Sequence, residues 1–574
     1  MTKRARLYIT NLTDSHLNLW VEKSTESGFA QHNPSEWLKN GYLAARSSLG
    51  DYVEMENGGP SPFTLKVDLQ DGTTFHCVLD LWQSRDVGRK KLTTVPARPD
   101  LDVWQTSGGD IGDSSHGTLG IYIGQSKRPS LSKWMEALLA KRPWVTLNDV
   151  VMPGSHDAGM CKTESSGSLG GGGSSAETQR LSIVEQLNAG SRYFDLRVHR
   201  RANGDYHFGH FSNDSNSLGA FGERVEVVLD GIKSFLQTNA KECVILKWSH
   251  TGDLINMNSL LAVIKNRLGN AFYQAPNPGG VLARKRLADF AGHALCVFDT
   301  DFAGQLQADP KLYAYHDVAD GATRGDANQT ASKAAGLTVY DRYANNVDAG
   351  VVVTDQQHKL VTNGGQGNSF LFVLSWFATG AVGNTLDIQA LAHTLHPRLA
   401  QFLQKCKGGL RPNVVYLDFI EQDLCSLIIE LNDAPELNES KTYTLEPASH
   451  PGKALDTYSG ALHPAAFLED KAKGTSGMQW HLTLNPDNGS YYLRNNYQPD
   501  KVLTAVQGGL ELWPLDPSQE TQMWKIRTSV MEGVRLESVA DGSEYSLCVA
   551  PADKPLLVST LAKMQLSLWK FVEV

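Results

Sequence analysis

The sequence has few cysteines and no long apolar run, and each shortage excludes a class of protein. The seven cysteines of this 574-residue chain are scattered singly, with no C-x-x-C pair, which argues against a disulfide scaffold or a cysteine metal site. Cys243 and Cys296 lie in apolar, strand-like stretches, so we expect buried free thiols there. No apolar segment reaches the length of about 18 residues that a membrane-spanning helix needs.

An excess of basic charge is also missing. The chain has 53 Lys and Arg against 62 Asp and Glu, a net charge of −9. A broad surface that neutralises phosphates is therefore not expected, and nucleic acid is excluded as a predicted partner. Contact with a membrane would depend on aromatic residues and local patches rather than on overall charge.

The N-terminal segment carries basic residues but no sustained apolar stretch. It predicts a folded strand rather than a signal peptide. We expect a protein that acts peripherally at membrane surfaces. If it is secreted, it leaves the cell either without a standard leader or by means of one that this sequence does not include.

The length of the chain exceeds that of one ordinary core, and its patterns divide it into three parts. Residues 1–128 contain short apolar or alternating runs separated by Gly, Asn, Asp and Pro, which predicts an antiparallel β-sandwich. Within this part, residues 94–115 are predicted to form a loop. We place the second part at residues 129–435 and the third at residues 442–574.

The second part alternates strand and helix patterns. Helical spacing at residues 225–236 is followed directly by the strand-like C-V-I-L-K-W-S-H. Such alternation predicts a parallel TIM-like barrel with functional residues at the carboxyl ends of its strands. Further strands are predicted at residues 294–298, 337–340, 370–375 and 414–419.

The third part contains a repeated tryptophan. Trp480, Trp524 and Trp569 lie 44 and 45 residues apart in the similar frames M-Q-W-H-L, Q-M-W-K-I and S-L-W-K-F. Three matched units of this length indicate threefold internal repetition. We interpret the tryptophans as core residues rather than as ligand contacts.

Three short segments of the second part carry acid–base residues. An apolar run from Val145 stops at Pro153-Gly154, so the following His and Asp should lie just past a strand end, and an Asp and an Arg two residues apart should share one face of the next strand. A single pair of this kind is usually structural, but three pieces in one region favour a catalytic site, because buried charges need partners or a task. The candidate residues are His156, Asp157, Asp195, Arg197 and, on a third strand, His210 or His207.

A segment rich in Gly and Ser separates the first two of these pieces. Residues 161–182 include four consecutive glycines and lack a Gly-Lys-Ser/Thr ending, so they do not form a phosphate-binding loop. This composition predicts a mobile loop over the mouth of the site or a partly disordered insertion.

The order P-G-S-H-D-A-G, then G-S-R-Y-F-D-L-R, then G-H-F resembles the X region of phosphatidylinositol-specific phospholipases C, and Arg197 is similar to the bacterial branch. Two later segments resemble the same family, and the resemblance as a whole covers about residues 140–432. V-Y-D-R-Y at residues 339–343 is similar to its inositol-contacting strand, and V-V-Y-L-D-F at residues 414–419 to its last barrel strand. The third part resembles the ricin-type β-trefoil, although only Gln522-Met523-Trp524 retains that family's Q-x-W.

The resemblance implies cleavage of phosphatidylinositol, or of glycosylphosphatidylinositol, in membranes to diacylglycerol and a cyclic inositol 1,2-phosphate. His156 would be the general base and His210 the general acid, while Arg197 would stabilise the phosphoryl oxygens. The implied supporting roles are these: Asp418 orients His156, Asp195 supports His210, Asp157 assists near the leaving group, and Asp341 and Tyr343, with Lys247 or His250, hold the inositol hydroxyls.

The resemblance also bears on metal. Calcium-dependent relatives carry an acid where this chain has Arg197, and a fixed cation there would repel Ca²⁺, so no cofactor is predicted. The alternative is a calcium ion held by Asp157 and Asp195.

Two rival functions remain open from the sequence. One is a barrel phosphodiesterase that acts on choline or glycerol lipids, which would leave the Asp341-x-Tyr343 segment without an explanation. The other is a non-catalytic protein that binds lipid or, through the third part, a glycan.

Overall fold

The computed structural model describes most of the chain, in three consecutive parts. The described residues are 3–22, 33–38, 41–55, 62–80, 87–108, 116–126, 130–212, 215–253, 255–274, 281–333, 336–365, 368–379, 387–406, 411–433, 439–457, 461–507, 509–529, 533–540, 545–550, 554–559 and 569–574. No helix among them is long and apolar enough to cross a bilayer.

The first part consists of two sheets over one apolar core. One sheet has the strand order β4-β1-β9-β8-β7 and the other the order β3-β2-β5-β6. Alternate side chains of both sheets are buried together, as the period of two in the sequence requires. The elements are β1 (Lys3–Asn11), β2 (Leu17–Glu22), α1 (Pro34–Trp37), β3 (Gly41–Leu43), β4 (Ser47–Met55), β5 (Pro62–Leu69), β6 (Thr74–Asp80), β7 (Val87–Lys91), β8 (Leu101–Gly108) and β9 (His116–Gln125).

The predicted loop at residues 94–115 is wrong where β8 lies. Leu101 and Val103 are buried in the core, and β8 pairs with both β7 and β9. The alternation L-D-V-W is only four residues long before polar residues follow, and pairing on both sides supplies the order that this short pattern did not indicate. Residues 109–115 of the predicted loop lie outside the described residues.

The second part is a closed barrel of parallel strands, as the alternating pattern predicted. Each barrel strand pairs in parallel with the next, and the last, β20, pairs with the first, β10. The barrel strands are β10 (Met152–Ser155), β12 (Tyr193–Arg200), β15 (Val244–Ser249), β16 (Ala294–Phe298), β17 (Tyr313–Asp317), β18 (Gly336–Asp341), β19 (Leu371–Ser375) and β20 (Val414–Leu417).

Additional short strands extend the barrel sheet at one side. β12 continues into an antiparallel hairpin with β13 (Tyr206–Phe211), and β13 pairs with β14 (Gly219–Arg224). β14 in turn pairs with β11 (Ser165–Ser166). The helices of this part are α2 (Trp134–Lys141), α3 (Ile183–Ala189), α4 (Val225–Thr238), α5 (Met257–Leu268), α6 (Ala303–Ala308), α7 (Arg324–Lys333), α8 (Ala349–Asn363), α9 (Ile388–Cys406) and α10 (Gln422–Ile429).

Two barrel strands differ from the sequence prediction. The first strand does not stop at Pro153-Gly154 but contains both residues, and part of the apolar run before it forms a 3-10 turn, Leu147–Asp149. Gly154 suits this position because a Cβ there would lie 2.6 Å from Val414 of the neighbouring strand. β17 was not predicted, because Y-A-Y-H-D mixes tyrosines with polar residues instead of forming an apolar run.

The first part packs against helix α9 of the barrel. A Cβ at Gly108 would lie 2.2 Å from Thr394, and one at Gly120 would lie 2.6 Å from Pro397, so the strands approach the helix as only glycine permits. Arg89 of β7 also donates to Glu421 and, at 3.1 Å, to Asp423.

The third part is all β. Trp480, Trp524 and Trp569 are fully buried in one core, so their interpretation as core residues is confirmed. Each indole Nε1 donates to the backbone oxygen of a leucine, at 3.2, 2.8 and 2.9 Å respectively, and these equivalent contacts match the sequence repeat. The strands are β21 (Thr442–Pro447), β22 (Lys453–Asp456), β23 (Phe467–Asp470), β24 (Gln479–Asn485), β25 (Ser490–Asn495), β26 (Lys501–Val506), β27 (Gly509–Pro514), β28 (Trp524–Ser529), β29 (Gly533–Ser538), β30 (Tyr545–Ala550), β31 (Lys554–Ser559) and β32 (Trp569–Glu573).

The expectation of buried free thiols is confirmed at two cysteines. Cys243 precedes β15 and Cys296 lies within β16, and both are buried and free. Burial raises the pKa of each thiol to about 12, so neither is a nucleophile near neutral pH.

A fully buried ion pair ties the start of the second part to the barrel. Arg192 donates to Glu242 at 2.7 and 2.9 Å, and both side chains are completely buried. Glu242 also accepts the backbone N–H groups of Met135 and Glu136, at the start of α2.

We predict that Glu242→Gln destabilises the protein by about 3–5 kcal/mol, because removal of one partner leaves the Arg192 charge buried and uncompensated. Equilibrium denaturation measures this loss. Asp230→Asn, which breaks an exposed pair with Arg267, is the matched control and should cost less than about 1 kcal/mol. Equal losses in both variants would contradict the prediction.

Candidate active site

His156 and Asp418 meet because the first and last barrel strands are neighbours. Ser155 of β10 pairs with Leu417 of β20, so the residues that follow emerge side by side although 262 positions separate them. His156 Nδ1 lies 2.7 Å from Asp418 Oδ1, and since a carboxylate only accepts, Nδ1 donates. This bond leaves the Nε2 lone pair of His156 directed into the site.

Arg197 lies against that lone pair. Its Nη2 donates to His156 Nε2 at 2.8 Å, and its Nε donates to Asp195 Oδ2 at 2.9 Å. Asp195 also accepts from Ser249 Oγ at 3.0 Å and lies 3.6 Å from Lys247 Nζ. Burial alone would raise the pKa of Asp195, but Arg197 and Lys247 hold that pKa well below its usual value. Asp195 is therefore a carboxylate that fixes the guanidinium.

His210 pairs with Asp157. His210 Nδ1 donates to Asp157 Oδ2 at 2.6 Å, and Arg197 Nη1 lies 3.8 Å from the same oxygen. Burial would raise the pKa of Asp157, yet Arg197 and His210 together lower it. The sequence assigned the support of His210 to Asp195, whereas here Asp157 contacts His210 and Asp195 contacts Arg197.

His207, the alternative to His210, lies outside this cluster. Its Nδ1 is 3.0 Å from the backbone oxygen of Gly222 and 3.4 Å from Glu164. His207 and His210 are three positions apart on β13, and because side chains alternate along a strand, the two histidines point to opposite faces.

Asp341 lies at the end of β18 among hydroxyl and ammonium donors. Lys247 Nζ, Tyr315 OH and Ser375 Oγ lie 3.1, 3.0 and 3.2 Å from its carboxylate. Lys247 thus joins Asp341 to Asp195, while His250 lies just beyond the end of β15, where its φ is +51°.

Aromatic rings form one side of the site. Phe377 stacks on the His156 imidazole with a centroid distance of 4.0 Å and an interplanar angle of 7°. Tyr343, half exposed, lies 6.0 Å from Phe377, and Tyr416 meets His156 edge-on. Sequence reasoning missed Phe377, although it lies just past the end of β19, as other site residues lie just past the ends of their own strands.

The two carboxylates proposed for calcium do not suit that ion. Asp157 and Asp195 both face Arg197, so a divalent cation between them would have to displace a guanidinium. In the described part of the chain, no group of three or more His, Cys, Asp or Glu side chains is arranged to hold a metal ion.

The arrangement combines two imidazoles and one fixed cation. Arg197 contacts His156 directly and reaches His210 through Asp157. Each imidazole has a carboxylate on Nδ1, so Nε2 is the nitrogen that is left for proton transfer. Nε2 of His156 accepts from Arg197 in this structure, and a guanidinium that turned to bind an anion would release it. Such a set can cleave a phosphodiester.

The sequence model of the PI-PLC X family (PI-PLC X 1) matches residues 147–284. This range includes five residues of the cluster: His156, Asp157, Asp195, Arg197 and His210. This region of the second part is similar to a PI-PLC X domain. The match ends before β18, so Asp341, Tyr343 and Asp418 lie beyond it.

Curated relatives match part of the chain. A PI-PLC X-box domain-containing protein of Dictyostelium discoideum is 29% identical over 182 residues, covering 29% of this chain and 23% of that protein. PI-PLC X domain-containing protein 3 of mouse is 28% identical over 162 residues, or 24% of this chain and 48% of that protein. The match therefore spans a quarter to a half of these relatives.

Solved structures similar to the chain include bacterial enzymes. The phosphatidylinositol-specific phospholipase C from Listeria monocytogenes is 20% identical and is covered fully by 53% of this chain, with a TM-score of 0.38. A Staphylococcus aureus phosphatidylinositol-specific phospholipase C is 18% identical, with 98% of that chain and 53% of this one covered and a TM-score of 0.38.

We predict that Arg197→Met lowers the unfolding free energy by about 3–5 kcal/mol at neutral pH, because it removes the guanidinium that two buried carboxylates share. The folded pKa of Asp195 lies below the unfolded value of about 3.9, so the ion pair stabilises above that pH and its contribution fades as the pH falls through the folded pKa. The loss measured by denaturation should therefore shrink in acid.

The control is Arg224→Met, which removes an arginine from the exposed pairs with Asp205 and Glu226. It should change stability by less than about 1 kcal/mol. A carboxyl titration by NMR that places Asp195 at or above the ordinary aspartate range in the unaltered protein would refute the assignment.

Proposed function

We propose that this chain is a phosphatidylinositol-specific phospholipase C that works by paired histidine acid–base catalysis. The observation that carries the proposal is Arg197, whose guanidinium touches His156 at 2.8 Å and faces the carboxylate partner of His210 at 3.8 Å. A phosphate bound by this guanidinium would lie between a base and an acid.

In the proposed reaction, His156 Nε2 removes the proton of the inositol 2-hydroxyl, and that oxygen attacks phosphorus. Asp418 keeps the proton on Nδ1 and stabilises the imidazolium that forms. His210 Nε2 donates a proton to the diacylglycerol oxygen as its bond to phosphorus breaks, and Arg197 stabilises the charge on the phosphoryl oxygens. The products are diacylglycerol and a cyclic inositol 1,2-phosphate.

The inositol ring would lie over Asp341 and Tyr343. The Asp341 carboxylate, ordered by Lys247, Tyr315 and Ser375, can accept bonds from ring hydroxyls. Tyr343 offers an exposed ring to one face of the sugar, and Phe377 keeps the base stacked behind it. The neutral polyol therefore suits this side of the site.

The flanking parts have proposed roles at the membrane. We infer a β-sandwich at residues 1–128 and a ricin-like β-trefoil at residues 442–574, on either side of a barrel at residues 129–435. The two core-sharing sheets support the first, and the three equivalent Trp–leucine contacts support the second. We assign them to placement of the barrel on lipid, with a glycan as the candidate ligand of the trefoil.

We predict that His156→Ala and His210→Ala each reduce inositol phosphate release from phosphatidylinositol vesicles by about a hundredfold or more, because each removes one proton transfer. His207→Ala is the matched control: the same residue type on the same strand, directed at Gly222, should leave the rate within a few-fold. Phosphorus NMR should detect the cyclic ester first.

Three outcomes would refute this function. Loss of activity in His207→Ala but not in His210→Ala would show that His210 is not the general acid. Faster cleavage of phosphatidylcholine than of phosphatidylinositol would favour another lipid phosphodiesterase. Lipid binding without any release of inositol phosphate would favour a non-catalytic binding protein.

We predict that turnover persists in a calcium chelator, because Arg197 supplies at the phosphate the positive charge that a metal supplies elsewhere. The rate of release with excess chelator, compared with the rate in added Ca²⁺, measures this. Activity that vanishes with the chelator and returns with Ca²⁺ would overturn the role given to Arg197.

A further inference from the structure

We propose that Gln179 is a positioning residue that holds the catalytic base and its carboxylate partner in register, a role that rests on the proposed function. Its side chain is almost completely buried beneath the strand ends that carry His156 and Asp418. It belongs to the end of the glycine-rich segment 161–182 and is not part of a barrel strand.

The amide of Gln179 joins both arms of the site. Its Nε2 donates to the backbone oxygen of His156 at 2.9 Å and to that of Leu417 at 3.0 Å. Its Oε1 accepts the backbone N–H of Ile420 at 2.9 Å. Both amide hydrogens and the oxygen are therefore used, which no other side chain of this length can reproduce.

The backbone that Gln179 holds turns sharply after the carboxylate. Phe419, directly after Asp418, has a φ of +47°, which is a left-handed conformation that costs energy in a bulky residue. The strand pairing of β20 has ended at Leu417, so the turn needs other support. Gln179 supplies bonds on both sides of it, at Leu417 and Ile420.

Thr178 extends the same contact to the other half of the site. Its Oγ1 donates to the backbone oxygen of Asp157 at 2.8 Å, and its backbone oxygen accepts from Phe419 at 2.7 Å. The dipeptide Thr178-Gln179 thus bonds to the backbone of His156, to the backbone on both sides of Asp418, and to the backbone of Asp157.

This arrangement gives the glycine-rich segment a task. Residues 165–170 bond to β14 and to the turn before it, while the far end of the segment passes under the site. A shift of about 1 Å at a reacting group can lower a rate by about a hundredfold. A change in Gln179 should therefore affect turnover through His156 without touching substrate.

The test compares Gln179→Met, which keeps length but loses the bonds, with Gln186→Met. Gln186 is an equally buried glutamine whose Nε2 donates to the backbone oxygens of Ala158 and Leu181. We expect kcat of Gln179→Met to fall by about tenfold to a hundredfold with KM nearly unchanged. We expect its downfield His156 Nδ1–H proton signal to weaken or shift.

Gln186→Met should keep both its kcat and the His156 Nδ1–H signal, even if its melting temperature falls as far as that of Gln179→Met. Should Gln179→Met not fold, Gln179→Asn, whose shorter amide cannot span the three groups, takes its place. Equal loss in both glutamine variants, or an unchanged signal and kcat in the Gln179 variant, would overturn the role. The proton signal needs no turnover, so an inactive unaltered protein would refute the proposed function while this comparison still decides the role of Gln179.

Discussion

A guanidinium held among buried carboxylates is the interaction on which the site depends. Asp195, fully buried, fixes Arg197 through Nε, and this bond directs the remaining nitrogens toward His156 and Asp157. Burial of these charges is costly and is offset only because each has an oppositely charged partner within reach. The same charge that stabilises the cluster is the one proposed to meet the phosphate, so stability and catalysis make the same demand on Arg197.

The barrel makes this cluster possible by closing. His156 and Asp418 follow the first and the last strand of the barrel and become neighbours only because β10 pairs with β20. The parallel pairing of β12 with β15 sets Asp195 opposite Lys247 in the same way. Packing of the N-terminal sheet on α9, through Gly108 and Gly120, covers the helix that leads into β20. The flanking sheet therefore packs directly on the scaffold that carries the site.

The sequence predicted the barrel and the members of the cluster better than it predicted which side chains of the cluster contact one another. Strong apolar runs, such as that of β16, were located to the residue, whereas β17 was missed because its buried face is made of tyrosines. The strand positions of Asp157 and Asp195 were foreseen, but which carboxylate meets His210 depends on side-chain direction after a strand ends. Gln179 had no local signal, and Phe377 had only its position after the end of β19, since both act by contact with residues distant in the chain.

One measurement tests the central claim directly: a crystal structure of the protein with inositol 1-phosphate bound. The account predicts one phosphate within hydrogen-bonding distance of the Arg197 guanidinium, with the Nε2 atoms of both His156 and His210 directed at its oxygens. It also predicts the inositol hydroxyls against Asp341. A phosphate bound elsewhere, or the two imidazoles turned to different sides of the barrel mouth, would contradict it.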